Sequence, residues 1–182
     1  METFDLYTKD REKTEKTMLR GTPVPSGFYR IVVQVCIFNS DGQMLIQRRQ
    51  PFKFGFSGYW DFSAAGSVVS GETSAQAASR ELMEELGIAV SFENERPSLT
   101  YTFAGGFCDT YCAEKDVALS ELKLQPEEVA EAKWATKEEI LAMIEDGTFI
   151  PYHPALSELL FFRRTQTVIR TRPDDTLPSA RK

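Results

Sequence analysis

Between Gly66 and Ile88 the chain reads GSVVSGETSAQAASRELMEELGI, and this stretch constrains the fold more than any other. Thr73 and Ser74 are both good N-caps, and neither Gly nor Pro recurs until Gly87. The spacing therefore predicts one helix with defined ends, and Gly87 is a natural left-handed stop. At about 100° per residue, Ala75, Ala78, Leu82 and Leu86 line one side, which needs another element to cover it. Glu81, Glu84 and Glu85 stand at i, i+3 and i+4 and share a second side. Like charges at that spacing repel by about 0.2–0.5 kcal/mol per pair. A hard divalent cation reverses the sign of that cost, because Mg2+ and Mn2+ prefer carboxylate oxygen. Mg2+ also shares phosphate oxygens, which suits a diphosphate. Arg80 and Glu72 are the expected ion pair that ties the preceding loop to the helix.

An Arg-Glu-Glu-Glu helix face by itself is most often a solvated surface. Gly66 and Glu72, upstream at fixed spacing, change that reading. Together with Arg80, Glu81, Glu84, Glu85, Gly87 and the apolar Leu82 and Ile88, they fill every defined position of G-x5-E-x7-R-E-U-x-E-E-x-G-U, where U is apolar. With average residue usage, a chance match in a chain of this length is on the order of one in ten million. The pattern resembles the Nudix box, and the chain resembles the Nudix hydrolases over roughly residues 28–165.

That resemblance implies an α+β fold, a mixed central sheet sandwiched between helices. It implies a metal-dependent pyrophosphohydrolase whose partner is a small-molecule diphosphate, by default a nucleoside diphosphate linked to another group. The implied cofactor is Mg2+ or Mn2+, with two or more ions. The implied metal ligands are Glu81, Glu84, Glu85 and the carbonyl of Gly66. Glu81 would act as general base or orient the attacking water, positioned by Arg80, with Glu84 completing the catalytic group. Many members add an acidic ligand six residues before a tryptophan that opens the next strand. Here Trp134 points to Glu128, with Glu127 beside it, although Gln125-Pro126-Glu127-Glu128 reads equally well as an acidic surface loop. Basic residues outside the box would hold substrate, and the candidates are Arg48, Arg49 and Lys53. Trp60, Phe62 and Tyr101 could wall a base or ring, though core packing is the commoner role for each.

Phe28–Asn39 is rich in β-branched and aromatic residues and reads as a core strand. Asp41-Gly42 signals a tight turn, and Gln43–Arg49 returns as its hairpin partner. Residues 50–59 form a loop, and Tyr59–Ala65 a short strand leading to the box. Ser98–Phe107 and Asp109–Glu114 read as strands broken near Gly105-Gly106, and Glu131–Ala135 as another. Thr136–Glu145 reads as a helix with a capping box, Thr136 with Glu139, and Pro154–Arg164 as a last helix. Residues 1–27 are expected to be an arm outside the common core, and residues 166–182 a disordered tail.

The stretch FYRIVVQVCIFNSDGQMLIQRRQ, continued by GYWDFSAAGSVVSGE, looks like the Nudix subgroup related to isopentenyl-diphosphate isomerase. That enzyme needs a cysteine just before the box glycine and a histidine just after it, and its box is degenerate. Here those positions are Ala65 and Ser67, the single histidine is His153, and the box is intact. The expectation is an isomerase-like scaffold carrying hydrolase chemistry. The alternatives are an isomerase-like enzyme and a catalytically silent binding module.

A net charge of −6 argues against a polymeric nucleic acid as partner. No apolar run approaches 18 residues, so no membrane span is expected. Cys36, Cys108 and Cys112 are odd in number and sit in apolar surroundings, which fits reduced thiols in the cytoplasm. A homodimer is left open.

Overall fold

The computed structural model describes residues 2–165. Two strands, β1 (Thr3–Tyr7) and β2 (Lys13–Leu19), form an antiparallel hairpin. Next come β3 (Arg30–Phe38), β4 (Met44–Arg49), β5 (Trp60–Asp61) and β6 (Ala64–Ser67), followed by helix α1 (Ser74–Leu86). Strands β7 (Leu99–Phe103), β8 (Gly106–Glu114) and β9 (Val129–Ala135) precede helices α2 (Lys137–Glu145) and α3 (Pro154–Thr165).

Strands β3 to β9 make one mixed sheet in the order β5-β4-β3-β8-β7, with β6 on β3 and β9 on β4. Strands β3 and β8 run parallel from Arg30 opposite Gly106 to Phe38 opposite Glu114. Strand β3 meets β4 only at Phe38 and Met44, while its first half pairs with β6 from Val32–Ser67 to Val35–Ala64. The two strands therefore part toward the box loop. Ser63 bridges the opening: its Oγ accepts from Ile37 N at 2.8 Å and donates to Leu45 O at 2.6 Å. This bridge is why the segment expected as a single strand over Tyr59–Ala65 is two short ones, β5 and β6.

Side-chain alternation assigns the two faces. Val33, Val35, Ile37 and Leu45 pack with Ala77, Ala78, Leu82 and Leu86 of α1. Cys36, Phe38, Met44 and Ile46 pack with Ile140 of α2 and Leu160 of α3. This is an α+β sandwich with a mixed sheet between helices. Thr73 caps α1 with Gln76 completing a capping box, and Gly87 ends it at φ 72°. Thr136 and Glu139 cap α2 in the same way.

Residues 2–19 are more structured than the expected arm. Phe4, Leu6 and Met18 are buried in a small cluster with Val24, Phe28 and Val69. Arg11 pairs with the buried Asp109 of β8, and Nη1 donates to Oδ1 at 2.9 Å. The hairpin also holds the box loop, since Ser70 N donates to Thr3 O at 2.8 Å and Gly71 N to Asp5 Oδ2 at 2.9 Å. No helix among the described residues is long and apolar enough to cross a membrane. The tail expected to be disordered lies outside the described residues.

Candidate active site

Arg80 is the hub of the box. Its Nε and Nη2 donate to the two carboxylate oxygens of Glu72 at 2.9 and 3.0 Å, a bidentate pair. Nη1 donates to Glu81 at 2.8 Å and to Glu84 at 3.1 Å, and Nη2 also reaches Ser67 O at 3.1 Å. Glu72 accepts in turn from Val69 N. The loop and the helix are thereby fixed to each other through one guanidinium. Its pKa is raised, first by the Glu72 hydrogen bonds.

The three glutamates sit at different depths, which one shared helix face did not suggest. Glu84 keeps half its side-chain surface in solvent. Glu81 leans onto Gly66, where an added Cβ would lie 2.0 Å from Glu81 Cδ. That contact requires glycine at 66 and puts the carboxylate beside its backbone. Glu85 is buried beneath the helix, accepting from Gln47 Nε2 at 2.7 Å and Ala65 N at 3.2 Å. Burial pushes Glu85 up to about 8, with the Glu81 charge adding to it. Burial pushes Glu81 up to about 7 against the opposing pull of Arg80. Both carboxylates are held where their charge lacks full compensation.

Among the described residues, no three His, Cys, Asp or Glu side chains already converge as a cation cage. The donor set nevertheless suits a hard divalent ion. Glu81 and Glu85 are desolvated carboxylates with raised pKa, Glu84 is open to solvent, and the Gly66 backbone adjoins them. Such a group would favour its ionised form once a cation arrives.

The candidates outside the box scatter more widely. Glu128 immediately precedes β9, whose seven residues carry Trp134 near the end and not at the start. Its carboxylate pairs with Lys53. Gln125 N donates to Glu85 O at 3.0 Å, docking this loop on the end of α1. Arg49 acts on the buried Asp61, and its Nε donates to Gly55 O. Arg48 faces away from α1. It lines a cleft of about 500 Å3 with Trp60, Lys133 and Met143 on the α2 side. Trp60 and Phe62 pack in the α2–α3 core, and Tyr101 donates to Gln34 Oε1 at 2.9 Å.

Gln47, which steadies Glu85, was missed in the sequence; a polar residue closing the apolar run MLI of β4 was the available signal.

The chain is similar to known proteins along most of its length. The NUDIX domain model matches residues 28–154. An uncharacterized Nudix hydrolase of Listeria monocytogenes is 48% identical over 168 residues, 92% of this chain and 99% of that protein. A crystal structure from Deinococcus radiodurans superposes with a TM-score of 0.70 at 30% identity, covering 87% of this chain and 97% of that one. More distantly, an isopentenyl-diphosphate Delta-isomerase of Streptomyces coelicolor is 30% identical, over 69% of this chain and 66% of that enzyme.

Proposed function

The chain belongs to the Nudix hydrolases, which generally act on small-molecule diphosphates with a divalent metal, and from that premise we propose a Mg2+- or Mn2+-dependent pyrophosphohydrolase for a nucleoside diphosphate joined to another group. The observation that carries this reading is the complete box with Glu81 seated on Gly66 and Glu85 buried behind it. Glu81, Glu84, Glu85 and the Gly66 carbonyl would hold metal, and Glu128 would add a ligand from the opposite loop. Bound there, two or more ions would supply charge neutralisation at the diphosphate and a more acidic water.

The chain's own residues do the positioning. Arg80 fixes the Glu81 carboxylate through Nη1, and that carboxylate takes the proton of the attacking water. Arg49 and Lys53 lie on the strand end and loop nearest Glu128 and would contact substrate phosphate. Arg48 has the weaker case, because it lines the α2-side cleft. Three free thiols, Cys36, Cys108 and Cys112, suit a cytoplasmic enzyme.

Isomerase chemistry has no support in these residues. Ala65 offers only its backbone N–H to Glu85, and the Ser67 hydroxyl accepts from Arg30. His153 sits beside the start of α3, bonded to Ala155 N. The test is phosphate release over a panel of nucleoside diphosphate derivatives, dinucleotides and isoprenyl diphosphates, with Mg2+ or Mn2+. Hydrolysis of at least one class supports the reading. Conversion of isopentenyl to dimethylallyl diphosphate, without hydrolysis of any, overturns it.

A further inference from the structure

Residues 50–59, between β4 and β5, carry phenylalanine at three alternate positions, 52, 54 and 56. All three are exposed: Phe54 completely, Phe52 at 70% and Phe56 at 51%. Phe56 sets its ring edge-on to Tyr59, 5.9 Å between centroids, while Phe52 and Phe54 present theirs to solvent. The loop is nonetheless built to one shape. Arg49 Nε donates to Gly55 O at 3.3 Å, Arg48 Nε to Gly58 O at 3.0 Å, and Ser57 Oγ to Pro51 O. Phe56 holds φ 50°, a left-handed conformation that a bulky side chain adopts only at a cost. Clustered apolar surface on a fixed loop marks contact with something outside the chain.

The loop adjoins the box through direct bonds. Gln47 of β4 donates to Glu85 at 2.7 Å, and Arg49, where the loop starts, lies two residues further on the same side of the strand, about 7 Å away. Gln50 N donates to Glu128 O at 2.9 Å, and Gln50 Nε2 to Pro126 O at 2.9 Å and Val129 O at 3.1 Å. Lys53, between the two exposed rings in sequence, pairs with Glu128. The segment that receives these bonds is itself docked on α1, through Gln125 N and Glu85 O at 3.0 Å. A phosphate held by Lys53 therefore carries its linked group to the residues on either side, Phe52 and Phe54. A hydrocarbon chain gains most from an enclosed groove, whereas a flat base needs only an open ring to stack on.

We propose that Phe52 and Phe54 form the base subsite, stacking on the nucleobase of a nucleoside diphosphate derivative whose phosphates lie at Lys53 and the box. Phe56, anchored on Tyr59, sets the bend that presents them. Stacking tolerates any base, because every base has a π-face, so the subsite selects for an aromatic group and not for one nucleotide. This inference rests on the diphosphate reading above and names the part of the substrate that the box does not read.

The test titrates two probes whose P–C–P link cannot be hydrolysed, α,β-methylene-ADP and methylenediphosphonate, into the full chain with Mg2+. The parent should bind the nucleotide analogue more tightly. Phe52→Ala and Phe54→Ala should each weaken the analogue about tenfold and leave methylenediphosphonate unchanged, since only the first carries a base. Both side chains are exposed, so the variants fold. Phe54→Trp should keep the parent's affinity, and so should Leu159→Ala, altered at an exposed position on α3. Equal affinity of the parent for the two probes, no loss in either alanine variant, or an equal loss for both probes overturns the subsite. So does a parent that self-associates and is dissociated by Phe54→Ala, which would make the rings an interface. Ring-dependent binding of the analogue without hydrolysis of any diphosphate sustains the subsite and defeats the hydrolase reading, and hydrolysis indifferent to both rings does the reverse.

Discussion

A methyl group on Gly66 would stand 2.0 Å from Cδ of Glu81. No real carbon pair tolerates that separation, so either the strand end or the carboxylate must move. Gly66→Ala should therefore shift Glu81 by roughly 1 Å and cut kcat by about 100-fold. The α1 caps and its buried stripe lie elsewhere, so thermal unfolding should stay cooperative. Wild-type kcat in this variant would separate Glu81 from the chemistry.

Arg80 holds Glu72, Glu81 and Glu84 at once. Arg80→Ala frees Glu81 and unties the box loop, so kcat should drop while stability falls by only about 1 kcal/mol for these part-exposed pairs. Chemical denaturation alongside kinetics checks both. A loss of several kcal/mol with activity intact in the folded fraction would make the hub purely structural.

Asp61 is buried, with Oδ1 accepting from Phe62 N at 2.8 Å and Tyr152 Oη at 3.0 Å. Burial outweighs these bonds and pushes its pKa up to about 6. An acid whose folded pKa is raised binds its proton more tightly folded than unfolded. Stability contributed by Asp61 is then greatest below about pH 4, declines to about pH 6 and levels above. Asp61→Asn should remove that decline, so the variant gains relative to the parent as pH rises through this window. Parallel pH profiles of the two proteins would contradict the burial argument.

Glu128 is tied to Lys53 just before β9. Three helix carboxylates and one carbonyl are few ligands for two octahedral ions. Glu128→Gln should raise the Mg2+ concentration for half-maximal rate, with the melting temperature in EDTA unchanged. An unaltered Mg2+ requirement would return this loop to the surface.

Much of this was legible because it is local. The box helix carries its own caps and apolar stripe, so Thr73 or Ser74 at one end and Gly87 at the other marked it without help from the rest of the fold, and the structure chooses Thr73. The hairpin was not legible. In β2 only Met18 is buried, and in β1 Asp5 sits between Phe4 and Leu6, so neither strand alternates cleanly. Its docking depends on Val69 and Asp109, distant in sequence. The unequal depths of Glu84 and Glu85 were hidden for a related reason. Helical spacing says which residues are neighbours, but Gln47 and Ala65 on other strands decide which one is covered.

Metal-dependent hydrolysis at the box is tested most directly by phosphate release from a nucleoside diphosphate derivative that the parent hydrolyses, titrated with Mg2+ and then with excess EDTA, for the parent and for Glu84→Gln. Glu84 is half exposed and its carboxylate bonds Arg80, so its amide folds. The parent's rate should rise with Mg2+ and vanish in EDTA, and Glu84→Gln should remain slow at saturating Mg2+. Turnover that persists unchanged in EDTA, or a Glu84→Gln enzyme as fast as the parent, would contradict it.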